Sequence, residues 1–180
     1  MTIKGRYQTF KQFICLVAYY SIAIYLPDSN GPIKWGTKVR RFLCVRIFKK
    51  AGKGIMIHRG ANFGGGLDIE IGDNSDIGIN ANIPGNTIIG DNVLMGPNCY
   101  IFASNHEFKD VNIPMKKQGF TEKKQAIIGD DVWIGRNVTL TPGRHISSGT
   151  IVGAGCVLTK DFPEYSVVGG NPGRLIRMRK

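Results

Sequence analysis

The sequence predicts an all-β parallel solenoid carrying a basic helical extension at its N-terminus, and three observations lead there. An aliphatic residue recurs at every sixth position in two stretches: Ile71, Ile77, Ile83, Ile89, Met95, Ile101, and then Ile128, Ile134, Leu140, Ile146, Val152, Leu158. A series of mostly smaller residues follows four positions behind each ladder residue: Ser75, Ala81, Thr87, Val93, Cys99, then Val132, Val138, Arg144, Thr150, Cys156. All of the net charge sits ahead of these stretches. Neither the helical period near 3.6 nor the strand period of 2 generates a spacing of six, which is the signature of a β-solenoid.

Taken in chain order, the first third is the irregular part. Residues 1–60 hold 12 Lys or Arg against a single acid, Asp28, while residues 61–180 hold 12 of each sign, so the formal charge of +11 belongs to the N-terminal segment. Lys4, Arg6 and Lys11 precede an apolar run from Phe13 to Leu26. The run is too short to cross a bilayer as a helix, which needs about 20 residues. No small-residue cleavage site follows it, against a signal peptide. A turn at Pro27-Asp-Ser-Asn-Gly-Pro leads into the basic, apolar segment Lys38 to Lys50, where Val39, Phe42 and the Val45/Phe48 pair recur at helical spacing. Two readings fit: a peripheral membrane anchor facing anionic headgroups, or a helical hairpin capping the open end of the solenoid. No nucleic-acid-binding module accompanies the charge.

The ladder residues of successive coils stack inward and bury a core that no single coil could close. Three six-residue units make one coil. An earlier run, Ile57, Phe63 and Ile69, adds a coil before the phase slips by two at Ile71. Cys99 and Cys156 fall in the small interior series and read as packing residues rather than nucleophiles. Arg144 interrupts that series, and since a charge is not tolerated in so thin a core, its turn must differ locally. The four cysteines lack disulfide or zinc spacing, which points to a reducing compartment.

The ladder stops between Ile101 and Ile128, over a polar stretch that includes Ser104-Asn-His-Glu-Phe-Lys-Asp-Val-Asn. A long excursion on a rigid scaffold commonly carries a site. Of the three histidines, His106 stands at the root of the excursion among polar neighbours, where a neutral imidazole can accept a proton. His58 and His145 sit at turn-like places without such context.

The blocks Ile89-Gly-Asp-Asn-Val-Leu-Met-Gly-Pro-Asn, Ile128-Gly-Asp-Asp-Val-Trp-Ile-Gly and Gly153-Ala-Gly-Cys-Val-Leu-Thr-Lys-Asp, with His106 and Val168-Gly-Gly-Asn-Pro, resemble the hexapeptide-repeat acyltransferases. Within them the chain is most similar to sugar O-acetyltransferases of the maltose/galactoside type and of capsule, colanic-acid and lipopolysaccharide clusters, over about residues 55–178. The resemblance implies a left-handed parallel β-helix, an exception to right-handed crossovers. It also implies a homotrimer with sites between subunits and acetyl-CoA as co-substrate, with no metal. On it, His106 is the catalytic base, Asn80 orients reactants or binds developing negative charge, and Trp133 walls the substrate site. Ala154, Thr159 and Lys160 follow the pantetheine and phosphate path of CoA, and Arg174 and Arg177 meet its adenosine phosphates. Residue 136 departs from the galactoside type: it is Arg where that type has a small residue. The segment from Asn112 to Gly119 is closer to the polysaccharide-cluster branch, and with it Gln118 is expected to shape the acceptor pocket.

The expected organisation is therefore a helical basic extension over 1–54, a catalytic β-helix over 55–168 with a loop at 103–127, and a CoA-binding tail over 169–180. The expected activity is acetyl transfer to a sugar hydroxyl of a surface polysaccharide or its precursor, in the cytoplasm or at the inner face of its membrane. Transfer to an amino sugar and a non-catalytic binding scaffold are the competing readings. A γ-type carbonic anhydrase needs paired histidines five residues apart, which the chain lacks. Serine acetyltransferases carry a far longer helical N-terminal domain.

Overall fold

The computed structural model describes residues 10–28 and 35–179. Lys4, Arg6, Lys180 and the central part of the turn after Asp28 lie outside the described residues. From Lys50 the chain winds as a left-handed parallel β-helix of about six turns. Strands of two residues stack into three sheets along the axis. The first sheet holds Lys50–Ala51, Glu70–Ile71, Ile88–Ile89, Ile127–Ile128 and His145–Ile146. The second face runs from Met56–Ile57 and Asp76–Ile77 through Leu94–Met95, Trp133–Ile134 and Ile151–Val152 to Ser166–Gly169. The third holds Tyr100–Ile101, Thr139–Leu140 and Val157–Leu158, extended toward the N-terminus by bridges through Asn82 and Asn62.

In each strand the ladder residue points inward and its predecessor outward. Every residue of the ladder is buried, and so is the second series apart from Arg144. Arg144 leaves the core as its turn requires: its guanidinium donates to the Thr159 carbonyl at 3.0 Å and pairs with Asp161 at 3.3 Å. The corners need left-handed backbone, which Asn, Asp and Gly adopt at least cost. Asn74, Asn92 and Asp131 supply it at one edge, and Asn80, Asn98 and Asn137 at the next. The phase slip is a real insertion. Ile57 pairs with Ile77, twenty residues on, whereas Ile134 pairs with Val152, eighteen on. The extra residues fall in a Gly64-Gly65-Gly66 corner, where Gly64 and Gly66 take positive φ.

Two helices, α1 (Phe10–Ser21) and α2 (Trp35–Ile47), pack on each other across the open N-terminal end. Tyr19 plugs it: its hydroxyl donates to the Ala61 carbonyl at 2.7 Å and its ring lies 4.6 Å from that of Phe63. The capping reading of the segment therefore holds. The buried face of α2 is not the one that carries the recurring Val39, Phe42 and Val45. Phe42 and Val45 are exposed and Val39 is only partly buried, while Gly36, Thr37, Arg40, Leu43, Cys44 and Ile47 face inward. Arg40 explains the choice of face. Its guanidinium is fully buried and donates to the carbonyls of Ile57 (2.7 Å), Leu26 (2.7 Å) and Ala23 (3.2 Å) and to Asp28 Oδ1 (3.1 Å). Those acceptors exist only where the hairpin meets the first coil, so the charge is drawn inward with its partners.

Candidate active site

The long excursion leaves the third sheet after Ile101 and forms a two-stranded stem. The Lys124 amide donates to the Ala103 carbonyl at 2.8 Å, that of Thr121 to Asn105 at 2.9 Å and that of Glu107 to Gly119 at 3.1 Å. His106 sits in this stem opposite Phe120, with the two rings 4.3 Å apart. Its side chain is exposed, and among the described residues nothing hydrogen-bonds the imidazole. The aromatic contact orients the ring and leaves both nitrogens free for proton transfer.

Beyond the stem the loop closes on a short helix, Met115–Gln118. Gln118 lies at the end of this helix. Its amide donates to the carbonyls of Ile113 (2.6 Å) and Asp110 (2.8 Å) and accepts from the Asp110 amide (3.2 Å). The side chain is engaged in holding the loop's own shape.

A groove of about 1190 Å³ opens beside the stem. Gln12, Leu16 and Tyr20 of α1 wall one side, Gly64 to Asp68 and Pro84 to Asn86 floor it, and Ala103 and Lys123 at the foot of the stem close it. The Tyr20 hydroxyl lies 3.0 Å from the Gly64 carbonyl and accepts from the Phe63 amide at 3.2 Å, tying α1 to the glycine corner. A β-carbon at Gly64 or Gly65 would meet nothing within 4 Å. Asn82, which was not among the expected site residues, is partly exposed on the third sheet and bridges to Tyr100, just before the excursion. Among the described residues its amide has no side-chain hydrogen bond. The signal was its place immediately before the ladder residue Ile83, which turns a side chain outward.

Asn80 occupies a corner instead, at a φ of 53°, and its amide donates to Asn98 Oδ1 at 3.3 Å in a stack continued to Asn137 at 3.1 Å. Trp133 projects from the second face, half exposed, beside Leu94 and Ile151. Within one chain it stands on a different sheet from the stem. Thr159 and Lys160 lie on the same edge of the solenoid as the groove and the stem, two coils on. The link is physical: a β-carbon on Gly143 would strike the Lys124 side chain, and Arg144 reaches the Thr159 carbonyl. Lys160 Nζ is 5.5 Å from the Phe162 ring centre. Ala154 is exposed on a neighbouring edge, one coil beyond Arg136, whose carbonyl accepts from Gly155. Arg174 and Arg177 are exposed on the final strand, Arg174–Met178, which runs antiparallel to Ser166–Gly169. Arg179 is tied down, donating to Asp131 Oδ2 at 2.9 Å and the Gly149 carbonyl at 2.8 Å.

The other histidines are accounted for differently. His145 faces outward from a strand. His58 Nδ1 lies 2.8 Å from Asp28 Oδ2, and Nε2 is 4.0 Å from Asp76 Oδ2, so it belongs to the seam under the helical cap. Both cysteines of the small series are buried. Burial pushes the Cys99 thiol up to about 11 and raises that of Cys156, which leaves neither as an available thiolate. Among the described residues no His, Cys, Asp or Glu cluster is arranged to hold a metal ion.

Residues 68–103 and 125–160 match the bacterial transferase hexapeptide (six repeats) description, and the gap between them is the excursion. The structure is similar over 93% of the chain to a maltose O-acetyltransferase from Clostridium difficile 630, at 30% identity, 86% coverage of that chain and a TM-score of 0.71. A galactoside acetyltransferase in complex with coenzyme A matches 94% of this chain and 81% of that one, at 28% identity and a TM-score of 0.74. A hexapeptide-repeat acetyltransferase of Vibrio cholerae O1 biovar eltor, complexed with acetyl coenzyme A, matches 99% and 89%, at 26% identity and a TM-score of 0.77. Curated relatives match over shorter stretches. The chloramphenicol acetyltransferase of Agrobacterium fabrum is 39% identical over 61 residues, 34% of this chain and 29% of that protein. The chain spans less than half the length of the first such relatives, 41% and 32%. With the repeat, the two-part match and the whole-length likeness in agreement, the chain belongs to the hexapeptide-repeat transferase family.

Proposed function

We propose that the chain is an acetyl-CoA-dependent O-acetyltransferase acting on a sugar hydroxyl, of a surface polysaccharide or its precursor, with His106 as general base. The observation that carries this reading is the exposed imidazole of His106, oriented by Phe120 at the root of the excursion and a few residues along the stem from a broad groove. The family's solved members, bound to acetyl-CoA or CoA, support the donor.

The donor fits the residues present. Ala154 lies in a Gly-Ala-Gly corner, and a β-carbon at Gly155 would meet nothing within 4 Å, so an extended arm can lie against the backbone there. Ala154, Thr159 and Lys160 would hold the arm and its phosphates, and Arg174 and Arg177 the adenosine end, with Arg136 as a further cation on the path. Acetyl-CoA supplies an acyl group already activated as a thioester. His106 removes the proton of the acceptor hydroxyl as its oxygen attacks the acyl carbon, and returns that proton to the departing sulfur. The amide of Asn82 or of Asn80 supplies a hydrogen bond to charge developing on oxygen. The buried cysteines fit direct transfer with no acyl-enzyme. Trp133 stands on another sheet from the stem, which fits a site completed by a neighbouring subunit of a homotrimer.

Thiol release from acetyl-CoA in the presence of a panel of sugars, nucleotide sugars and amino sugars tests the reading. His106→Ala is expected to lower turnover at least about a hundredfold. A folded variant with normal turnover would overturn the mechanism. Mass analysis of the product, with amino sugars in the same panel, separates O- from N-transfer.

A further inference from the structure

We infer that the two N-terminal helices form a docking face for an anionic lipid bilayer, and that the groove accepts a saccharide carried on a membrane lipid. The inference rests on the acetyl-transfer reading of the groove. On α1, Phe10, Ile14 and Val17 fall on one side at helical spacing and are exposed, Phe10 by 77%, while Cys15 and Tyr19 are buried opposite. On α2 the outward side carries Trp35, Phe42 and Val45, interleaved with the exposed cations Lys38, Arg41 and Arg46. The guanidinium of Arg46 lies 3.6 Å from the Phe42 ring centre, so cation and apolar surface share one patch.

Neither helix contains an acid. The nearest, Asp28, is engaged by Arg40 and His58. The exposed cations therefore have no acid on either helix to neutralise them, and large apolar side chains exposed along both helices mark an interaction surface rather than ordinary scatter. Apolar residues at helical spacing with Lys and Arg between them are the pattern of a helix lying in a membrane interface. Charge complementarity favours a bilayer over a second copy, because residues 61–180 hold 12 cations and 12 anions and offer no net attraction. No helix among the described residues is long and apolar enough to cross a membrane, so the attachment is peripheral.

The docking face and the groove share a helix. Gln12, Leu16 and Tyr20 wall the groove from one flank of α1, next to the exposed ridge of Phe10, Ile14 and Val17. With that ridge among the headgroups, the groove opens close to the lipid surface, where a saccharide on a lipid carrier is presented directly to it.

Flotation of the full chain with vesicles provides the test, using phosphatidylcholine alone and phosphatidylcholine with about one-third phosphatidylglycerol. Binding to the anionic vesicles is expected, weakening with salt. Ile14→Ser/Val17→Ser and Lys38→Glu/Arg41→Glu should each weaken it at least about tenfold. Thiol release with a soluble sugar should stay unchanged in both variants, and release with a lipid-linked saccharide in the same vesicles should fall. Failure of the wild type to float, or equal binding to neutral vesicles, overturns the docking face. Loss of the oligomer in the ridge variant, without vesicle binding by the wild type, reassigns the face to contact between copies. Equal rates of all proteins on the lipid-linked saccharide overturn the acceptor assignment. If vesicles bind and no acceptor releases thiol, the acetyl-transfer reading fails while the docking face stands.

Discussion

Arg40 and Asp76 are buried charges in one seam, and they have opposite consequences for stability. Arg40 meets carbonyl oxygens of the hairpin and of the first coil together with Asp28, so its charge is compensated. Arg40→Met would remove the cation that faces Asp28 and a donor from those carbonyls, and removing one member of a buried pair costs about 3–5 kcal/mol. A fall of that size in urea-unfolding free energy is expected, and a change under about 1 kcal/mol would show the seam to be wet and adaptable. Asp76 is less well served. Among the described residues its Oδ1 is buried without a partner, and burial raises its carboxyl from 3.8 to about 6, with His58 opposing the rise and Asp28 adding to it. Between these values the native chain holds a proton that the unfolded chain has lost. The associated stability is full below about pH 4 and disappears as pH rises through about 6, a total of about 3 kcal/mol. Asp76→Asn removes the titration, so the variant should be the more stable protein at about pH 8 and should lack this fall between about pH 4 and 7. Urea midpoints across that range check it, and an unchanged slope would assign the effect to another group. His58 lacked any sequence cue to this seam, because both its partners are distant in the chain and meet it only through the cap.

The elements differ in how far local pattern determined them. Short strands were legible because a solenoid repeats one solution: Ile77 and Val152 satisfy the same requirement on different coils. The slip near Ile71 was legible as a count, and only the backbone showed it to be a glycine corner flooring the groove. Helix α2 was legible as a helix but its buried face was not, since nothing in the spacing of Val39, Phe42 and Val45 marks Arg40 as an inward residue. Its carbonyl partners come from two separate segments, one with Ala23 and Leu26 and one at Ile57, on either side of the helix in sequence. The excursion was located by the failure of the ladder, while the bonds that order its tip were not legible. Gln118 holds the tip closed with three hydrogen bonds, each worth about 1 kcal/mol net. Gln118→Ala is expected to speed tryptic cleavage at Lys109, Lys116 and Lys117 and to lower kcat/KM for the acceptor roughly tenfold, because loosening the tip frees the stem that positions His106. The thermal midpoint should hold, since the loop lies outside the core. An unaltered kcat/KM with faster cleavage would separate tip order from catalysis.

At the scale of the whole molecule, much apolar surface of the single chain is exposed outside the N-terminal ridge. The excursion exposes Phe108, Met115 and Phe120 by more than 60% each and Val111 by 92%, and the second face exposes Leu94 and Trp133 by more than half. These are far from the N-terminal ridge in sequence, and the excursion holds five Lys against three acids, a far smaller excess than that of the N-terminal segment, so they suit contact between copies better than contact with lipid. In the proposed homotrimer, cyclic symmetry would bring a loop of one copy onto a face of the next. Light scattering should give three times the 19.8 kDa chain mass. Val111→Asp/Met115→Asp should shift it toward the monomer and abolish thiol release with it. A mixing experiment decides whether the site is shared. His106→Ala and Lys160→Glu/Arg174→Glu are each expected to be inactive alone, one lacking the base and the other the cations proposed for the donor. If base and donor site come from neighbouring copies, co-refolding the two variants in equal amounts restores about a quarter of wild-type activity, because random trimers then contain that fraction of intact interfaces. If each chain holds a complete site, the mixture stays as inactive as its components, and the excursion serves only its own groove.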